Sequence, residues 1–297
     1  MYILVINAGS SSLKYQLFNI ETKLVLAKGL AERIGISGGK IKHQFYKNGD
    51  SLDKLVEQNL PGHAEAFEII SSLLTDQEIG VIEKPEDITA VGHRVVHGGE
   101  EFVETQVITN EVKDAIKALI PLAPLHNPPN LIGIEAAEKS FPNAKQVAVF
   151  DTSFHHTIPE KAFRYAIPEK FYAEDGIRVY GFHGTSHKYV YNEAKNYLNN
   201  PKLKAITIHL GNGSSMTAID ENGHSIDTTL GFGPLCGLIM GTRSGDIDPA
   251  IIFHMAEEME MPLTQIKNML YKESGMLGLA GSSDARDVRA KYKQGDK

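Results

Sequence analysis

The chain has 297 residues, of which 42% are hydrophobic and 23% are charged, and these proportions exclude a disordered or collagen-like protein. It carries 37 acidic and 30 basic residues without a basic cluster, so a nucleic-acid partner is not expected. No apolar run approaches the roughly 20 residues that cross a bilayer, and the sequence lacks both a basic leader and a disulfide partner for Cys236. We therefore expect a cytoplasmic protein that contacts no membrane.

The length exceeds that of one ordinary core, so two domains are expected, over residues 1–150 and 151–297. Apolar runs and alternating patterns predict strands, and apolar positions at helical spacing predict helices. The predicted strands are 2–6, 13–18, a run around 24–26, 40–46, 90–96, 146–150 and 205–210. The predicted helices are 62–74, 110–120, 127 to about 142, 185–198, 248–259 and 284–293, with Asn110, Thr185 and Asp248 as N-terminal caps. Strands separated by helices indicate an α/β architecture.

Two segments of the chain resemble each other and indicate an internal duplication. Aligning Gly9 with Gly213 places residues 5–11, VINAGSS, over residues 209–215, HLGNGSS. Each segment is an apolar strand, an asparagine-containing turn, Gly-Ser-Ser and a further strand. Gly-Ser-Ser turns also occur by chance, but the matched strands on both sides favour duplication.

A hairpin tip rich in glycine and serine presents backbone N–H groups and hydroxyls without bulky side chains, as a phosphate chain requires. The first tip, which holds Ser10 and Ser12, is followed by Lys14, which adds a cation. Either tip alone could be an ordinary solvent-exposed turn, whereas the pair favours nucleotide phosphates as the ligand. The sequence contains neither a Walker motif nor GxGxxG, which removes the main support for those two nucleotide-binding folds.

Three charged residues occupy positions where a partner or a ligand is expected. Asp151 directly follows an apolar strand, where α/β proteins bind ligands, and a cap for the next turn is an equal alternative. Arg94 lies inside the predicted strand 90–96, and Arg243 lies in the segment GTRSG. Because an unpaired buried charge is costly, Arg94 needs a carboxylate or a ligand. The glycines on both sides of Arg243 fit a backbone that approaches another group closely. For each arginine, a structural salt bridge is the alternative role.

The 12 histidines include two pairs spaced by four residues, His93/His97 and His183/His187. That spacing would place two zinc ligands on one face of a helix, but the first pair lies in a predicted strand and the second straddles a helix start. We therefore predict no zinc site and interpret His183 as a loop residue presented to a ligand. For His126, in PLHNPPN, a functional role and a turn-forming role are equally supported.

Seven segments together resemble the acetokinase family of the sugar kinase/Hsp70/actin superfamily. They are VINAGSSSLKY from Val5, VGHRVVHGG from Val91, PLAPLHNPPN from Pro121, VFDTSFH from Val149, YGFHGTSH from Tyr180, HLGNGSS from His209 and MGTRSGDIDP from Met240. The resemblance implies an α/β fold of two duplicated ribonuclease H-like domains of the actin/Hsp70 type, with mixed sheets flanked by helices. The first would be the N-terminal acetokinase domain and the second the nucleotide-binding domain.

The resemblance also implies roles for individual residues. The expected catalytic residues are Asp151, as the active-site acid, His183 and Arg243. Arg94 and His126 are expected to bind the acyl substrate, and Asn7 to bind Mg²⁺, with Mn²⁺ as an alternative ion. The expected contacts to ATP or ADP are Ser10, Ser12, Lys14, His209, Leu210, Gly211, Asn212, Gly213, Asp284, Ala285 and Arg286.

The sequence departs from the family in two places. Gly233 and Cys236 stand in GFGPLCG, where threonine and glutamate-like residues are expected. The chain also ends before the family's later nucleotide-site segment, a second metal-associated glutamate and the return to the first domain. We therefore expect a fragment in which both domains are incomplete.

The reaction that the resemblance implies is the reversible transfer of the ATP γ-phosphoryl group to acetate, which gives acetyl phosphate and ADP. A carboxylate with a pKa of about 4 is already ionised near neutral pH, so its attack needs no general base. We therefore interpret Asp151 as orienting an arginine or a metal-bound water. Propionate is the alternative acceptor, because one methylene is worth only about 1–3 kcal/mol in a pocket.

Two further alternatives lie outside the carboxylate kinases. A sugar kinase of the same superfamily would need Asp151 as a base for its hydroxyl acceptor. A nucleotide-gated binding module, as in the Hsp70 and actin branches, would need no second anion site, so Arg94 and Arg243 favour a kinase of a small anion. The resemblance also implies a homodimer.

Overall fold

The computed structural model describes residues 1–47 and 49–296, and the chain forms two compact units, Met1–Ser153 and a second unit that begins at Phe154. The domain boundary between residues 150 and 151 and the functions given to the two domains stay predictions. Within the described ranges, no helix has the length and apolar character needed to span a membrane.

The first unit is built on an eight-stranded sheet. Its strands are β1 (Tyr2–Ala8), β2 (Ser12–Asn19), β3 (Leu24–Glu32), β4 (Lys40–Lys47), β5 (Asp50–Glu57), β6 (Ile88–Val95), β7 (Gln106–Val107) and β8 (Lys145–Phe150). Its helices are α1 (His63–Thr75), α2 (Asn110–Ala118) and α3 (Asn127–Ser140). The strand order is β5-β4-β3-β2-β1-β6-β8-β7, in which β1 to β5 are antiparallel neighbours and β6 runs parallel to β1 and to β8.

The central strands of this sheet alternate between buried and more accessible side chains, as the period of a strand requires. Leu4 on β1 is fully buried and belongs to the same apolar core as Phe67 on α1. Because β1, β6 and β8 are parallel, their carboxyl ends lie at one edge of the sheet. Three predicted site residues, Asn7, Arg94 and Asp151, therefore lie at or directly after that edge.

The second unit contains a three-stranded antiparallel sheet of order β11-β10-β9 together with helices of four to 14 residues. The strands are β9 (Ala205–Leu210), β10 (Ser214–Ile219) and β11 (Ser225–Thr228). The helices are α4 (Glu160–Phe163), α5 (Lys170–Ala173), α6 (Gly184–Tyr197), α7 (Ala250–Glu257), α8 (Leu263–Asn268), α9 (Gly275–Ala280) and α10 (Ala285–Lys293).

The strands and helices predicted from the sequence are confirmed, but the three predicted caps are wrong. Pro249 rather than Asp248 directly precedes α7, although Asp248 Oδ1 accepts a hydrogen bond from Ala250 N at 2.9 Å. Thr109 rather than Asn110 caps α2, because its Oγ1 accepts a hydrogen bond from Val112 N at 3.4 Å. Thr185 lies inside α6, which begins directly after His183. No sequence pattern predicts β5, because all its side chains except one are exposed and it buries no face.

Each unit contains a hairpin at the position that the internal repeat predicts, but the predicted register between the two copies is wrong. The turn of the first hairpin comprises residues 9–12, whereas that of the second comprises only residues 211–213. The serines of the second Gly-Ser-Ser, Ser214 and Ser215, are therefore buried members of β10 and not part of the tip.

Candidate active site

Arg94 and Asp151 form a bidentate ion pair at the carboxyl ends of the adjacent parallel strands β6 and β8. Arg94 Nε lies 3.0 Å from each carboxylate oxygen of Asp151, and Nη2 donates to Oδ2 at 2.6 Å. The side chain of Asp151 is 3% exposed, whereas that of Arg94 is 40% exposed. The carboxylate therefore holds one edge of a guanidinium whose other edge stays accessible.

The ion pair leaves Arg94 with hydrogen-bonding capacity. Among the residues that the structure describes, none accepts a hydrogen bond from its Nη1. Burial alone would lower the pKa of Arg94, but the hydrogen bonds and the charge of Asp151 outweigh it and raise the pKa above its ordinary value. A planar, charged donor with one edge fixed is suited to a carboxylate or phosphate oxygen.

Two asparagines that sequence analysis did not single out tie these strand ends together. Asn130 on α3 accepts a hydrogen bond from Val96 N at 3.0 Å and donates to Ala8 O at 2.9 Å. Asn127 accepts from His97 N at 3.2 Å and donates to His97 O at 3.1 Å. Both asparagines are nearly fully buried. The prolines between them, which start α3, are the sequence signal that could have found them.

His126, the other residue predicted to bind the acyl substrate, is half-buried directly before α3. Its carbonyl accepts a hydrogen bond from Asn130 N at 3.1 Å, so the backbone of His126 starts the helix. This geometry supports the turn-forming role, and the substrate-binding role stays a prediction.

The first hairpin places Asn7 and Lys14 opposite each other on paired strands. Both residues line a cavity of about 700 Å³ on the open face of the sheet. The turn closes through a hydrogen bond from Gly9 N to Ser12 O at 2.8 Å, with Ser10 exposed and Ser12 half-buried. The structure thus brings together the predicted metal ligand and the predicted lysine of the nucleotide site.

The surroundings of Asn7 do not form a magnesium site by themselves. Mg²⁺ prefers several oxygen ligands, above all carboxylates, phosphates and water. Asn7 supplies one neutral amide oxygen, and the residue opposite it on β2 is the cation Lys14. Across residues 1–47 and 49–296, no group of three or more His, Cys, Asp or Glu side chains is placed to hold a metal ion. A magnesium ion here would need most of its ligands from water and nucleotide phosphates.

In the second unit, His183 and Arg243 come together at the hairpin tip 211–213. A Cβ atom placed on Gly213 would lie 3.4 Å from Arg243 Nη1 and 3.5 Å from His183 Nε2. The tip itself closes through a hydrogen bond from Gly211 N to Gly213 O at 2.9 Å. An anion that approaches the backbone of Gly213 would therefore meet a guanidinium and an imidazole.

Arg243 is half-buried and has no carboxylate partner in the part of the chain that the structure describes. Its Nη1 donates to Pro234 O at 2.9 Å, in the loop that contains Gly233 and Cys236. Burial lowers the pKa of Arg243 below its ordinary value. Because an unpaired buried charge is costly, this arrangement is the one expected of a cation whose counter-charge is a ligand.

His183 precedes α6 with φ of 58°, in the left-handed region that few residues other than glycine adopt. Its Nδ1 lies 2.8 Å from Ser215 Oγ, and its ring stacks on His209 with 4.0 Å between the ring centroids. His187 Nε2 lies 2.7 Å from the same oxygen of Ser215. Sequence analysis missed this role of Ser215, because the repeat alignment placed it in the hairpin tip.

The loop before α10 approaches the same hairpin tip. A Cβ atom on Gly241 would lie 2.6 Å from Asn212 Oδ1 and 3.2 Å from Ser283 O, so this glycine permits a close approach of three segments. Asp284 caps α10 by accepting a hydrogen bond from Arg286 N at 2.8 Å. Hydrogen bonds from the side chain and backbone of Arg286 lower the pKa of Asp284 to about 2. Two other predicted nucleotide contacts are exposed, namely Leu210 and Ala285.

The fold and the repeated hairpin define the class of this protein. It is an α/β protein of the actin/Hsp70-type superfamily, built from duplicated ribonuclease H-like domains, as the sequence predicts. The chain belongs to the acetokinase family, whose sequence profile matches residues 2–297. Membership of this family makes it a phosphotransferase with a carboxyl group as the acceptor.

Named relatives resemble the chain over its whole length. It is 50% identical to an acetate kinase of Alkaliphilus metalliredigens and covers 75% of that protein, and it is 52% identical to an acetate kinase of Flavobacterium johnsoniae and covers 74% of it. Among solved structures, the acetate kinase of Porphyromonas gingivalis matches with a TM-score of 0.92 at 44% identity. A propionate kinase of Francisella tularensis matches with a TM-score of 0.91 at 43% identity. Each structural match covers 99% of this chain and 74% of the other.

Proposed function

We propose that this chain catalyses the reversible transfer of the γ-phosphoryl group of ATP to acetate. A carboxylate oxygen attacks the γ-phosphorus, the bond from that phosphorus to the β,γ-bridging oxygen breaks, and acetyl phosphate and ADP are formed. Relatives named acetate kinase, at 50% and 52% identity, support acetate as the acceptor. The observation that carries the proposal is the Arg94–Asp151 pair, which offers a fixed guanidinium with one accessible edge to a small carboxylate.

In this proposal, Arg94 binds the acyl carboxylate through the edge that Asp151 leaves accessible. An acceptor acid with a pKa of about 4 is ionised near neutral pH and needs no general base. Asp151 is nearly buried and its two oxygens accept hydrogen bonds from Arg94, so we assign it the role of positioning this guanidinium. A hydroxyl acceptor, as in a sugar kinase, would instead require a carboxylate that accepts a proton.

His183 and Arg243 stabilise the transferring phosphoryl group, because both side chains lie against Gly213. Phosphoryl transfer depends on positioning and on neutralising charge more than on covalent chemistry by the protein. Arg243 supplies a positive charge, and His183 Nε2 supplies a hydrogen-bond donor. The backbone N–H groups of Asn212 and Gly213, in the tip 211–213, are suited to the remaining nucleotide phosphates.

Magnesium enters this scheme with the nucleotide, as part of the substrate. When bound, the ion would neutralise phosphate charge, and Asn7 would contribute one oxygen ligand to it. A homodimeric assembly, a cytoplasmic location and the use of Mn²⁺ in place of Mg²⁺ stay predictions.

Propionate is the second candidate acceptor. A propionate kinase is among the solved structures that match this chain, at 43% identity. Acetate and propionate share the carboxylate that Arg94 would bind and differ by one methylene, which a pocket distinguishes by about 1–3 kcal/mol. The two acids must therefore be compared directly.

A hydroxamate assay tests the proposed reaction and its acceptor. The protein is incubated with ATP, magnesium, hydroxylamine and either acetate, propionate or butyrate, and ADP release is followed in parallel with glucose. We expect hydroxamate with acetate, less with propionate, and no glucose-dependent ADP. Hydroxamate with none of the acids, together with phosphorylation of glucose, would contradict the proposal.

A further inference from the structure

A chain of hydrogen bonds runs from a buried threonine to His183. Thr207 Oγ1, on β9, lies 2.8 Å from His187 Nδ1, and His187 Nε2 lies 2.7 Å from Ser215 Oγ, on β10. The same oxygen of Ser215 lies 2.8 Å from His183 Nδ1. Thr207 is 5% exposed, His187 is 1% exposed and Ser215 is fully buried. These groups therefore form hydrogen bonds with one another and not with bulk water.

The protons along this chain can be assigned from the chemistry of its members. Burial, with smaller contributions from the neighbouring His155 and His209, lowers the pKa of His187 to about 4. His187 is therefore neutral near pH 7 and has a single N–H group. The Ser215 hydroxyl also has a single proton, so it donates to one histidine and accepts from the other.

Two directions of donation satisfy these rules. In the forward direction, Thr207 donates to His187, His187 donates to Ser215, and Ser215 donates to Nδ1 of His183. In the reverse direction, His183 donates to Ser215, Ser215 donates to His187, and His187 donates to Thr207. The hydroxyl proton of Thr207 then has no acceptor, since Oγ1 makes no second hydrogen bond within the described ranges. Because an unpaired buried donor is costly, the forward direction is favoured, and it leaves the proton of neutral His183 on Nε2.

The forward direction also suits phosphoryl transfer. Phosphoryl oxygens only accept hydrogen bonds, so a histidine beside them must present an N–H group. Nε2 is the nitrogen of His183 that approaches Gly213, the glycine that Arg243 Nη1 also approaches.

The ring of His183 is also supported independently of Ser215. It stacks on His209 with 4.0 Å between ring centroids and 23° between ring planes. His155 Nε2 donates to Phe182 O at 2.9 Å, directly before His183. Removal of the Ser215 hydroxyl should therefore change which ring nitrogen of His183 carries the proton, and should change the position of the ring much less.

We propose that Ser215 is a positioning residue that fixes His183 as the neutral tautomer with its proton on Nε2. The Thr207–His187 pair orients the Ser215 hydroxyl for this purpose. The proposal rests on the proposed function, in which His183 donates a hydrogen bond to the transferring phosphoryl group.

Nitrogen-15 NMR of the histidine side chains, recorded on the substrate-free protein at mildly alkaline pH, reports the tautomer directly. The spectra compare the unmodified protein with Ser215→Ala, Ser215→Thr and Thr207→Val, and a His183→Gln variant assigns the His183 signals by their loss. Ser214→Ala is the matched control, because Ser214 is the neighbouring buried serine on β10. Acetyl phosphate formation is measured on the same proteins.

In the unmodified protein and in Ser214→Ala, we expect a protonated Nε2 and an unprotonated Nδ1 at His183. Ser215→Ala should give a mixture of tautomers and lower kcat by about ten- to a hundredfold with little change in KM, as when an orienting partner is removed. Ser215→Thr keeps the hydroxyl and should keep the tautomer. Thr207→Val should also give a mixture of His183 tautomers and a lower kcat, and both changes should be smaller than in Ser215→Ala.

A proton on Nδ1 of neutral His183 in the unmodified protein would overturn the proposal. So would an unchanged tautomer in Ser215→Ala, even with a lower kcat, since Ser215 would then act only on the structure. If Ser215→Ala does not fold, Thr207→Val applies the same test from the other end of the chain of hydrogen bonds. An unmodified protein that forms no acetyl phosphate would contradict the proposed function alone, because the spectra need no substrate.

Discussion

Arg94 in the first unit and Arg243 in the second unit balance their charges differently. Arg94 is matched within the protein by the bidentate carboxylate of Asp151, at 2.6 to 3.0 Å. Arg243 donates only to a carbonyl oxygen and a thioether sulfur among the described residues. The pKa values follow this difference, since that of Arg94 is raised and that of Arg243 is lowered.

This difference indicates what each arginine is suited to bind. The Arg94–Asp151 pair has no net charge, and its accessible N–H groups can orient a small monoanion such as acetate. Arg243 keeps an uncompensated charge that is stabilised only when an anion arrives, which suits the more highly charged phosphoryl group. These two arrangements support the proposal that Arg94 positions the acceptor and that Arg243 stabilises the transition state.

The largest effect is expected at Arg243. Arg243→Met should lower kcat by about 10³-fold, as for other arginines that neutralise a transferring phosphoryl group. The free energy of unfolding should stay the same or rise, because the substitution removes a half-buried charge that has no internal partner. Hydroxamate kinetics and denaturant unfolding measure the two quantities. Arg289→Met, at an exposed arginine of α10, is the control and should change neither. A large loss of stability in Arg243→Met would contradict the account.

Asp151→Asn should destabilise the protein, in contrast to Arg243→Met. It leaves Arg94 without its carboxylate and should lower the free energy of unfolding by about 1–3 kcal/mol, the usual cost for a hydrogen-bonded charged group. The catalytic efficiency with acetate should fall by about ten- to a hundredfold, since Arg94 is no longer oriented. The pH–rate profile distinguishes the roles of Asp151. Recovery of the rate at high pH in Asp151→Asn would support a general base and contradict positioning.

Gly213→Ala should affect ligand binding with little effect on folding. The new methyl group would meet Arg243 and His183 at ordinary contact distances of 3.4 to 3.5 Å, so the unit should still fold. It would occupy the space that an anion needs, and the affinity for ATP should fall by about tenfold, or about 1.4 kcal/mol. Calorimetry measures this change. Gly233→Ala, whose Cβ would lie 3.6 Å from Tyr271 Oη, is a matched control that should bind ATP normally.

Some ionisable groups stay neutral, and the next prediction concerns one of them. Burial lowers the pKa of His43 to about 4, and His43 Nδ1 lies 2.5 Å from Tyr15 Oη. An unfolded histidine binds a proton below about pH 6.5, so between pH 6.5 and 4 the unfolded state binds more protons and stability falls as the pH falls. His43 should contribute up to about 1.4 kcal/mol per pH unit in that window.

Denaturant unfolding at several pH values tests this contribution. His43→Phe should be less stable near pH 7, because Tyr15 loses its partner, but its stability should depend less steeply on pH. Tyr15→Phe removes the same hydrogen bond and keeps the histidine, so it should retain the steeper dependence. Equal slopes in the two variants would show that His43 does not titrate as described.

Much of the first unit was predictable, because its strands bury one face and leave a periodic pattern. The sequence also predicted that Arg94 needs a carboxylate or a ligand and that Asp151 orients an arginine or a metal-bound water, and the structure pairs these two residues. The hydrogen bonds of Asn130 were not predictable. Its bond to Ala8 O spans 122 residues of sequence, and such contacts leave no periodic signal. Ser215 was misplaced for a related reason, because the turn lengths of the two hairpins depend on pairing register and not on the shared motif.

The contrast between the two arginines is tested most directly by steady-state kinetics of Arg94→Lys and Arg243→Lys, measured side by side with acetate and ATP varied in turn. Lysine keeps the charge and loses the planar fork. We predict that Arg94→Lys raises the KM for acetate and leaves the KM for ATP nearly unchanged, whereas Arg243→Lys lowers kcat with little change in either KM. Near-normal kinetics in both variants would return the two arginines to structural roles and contradict the account.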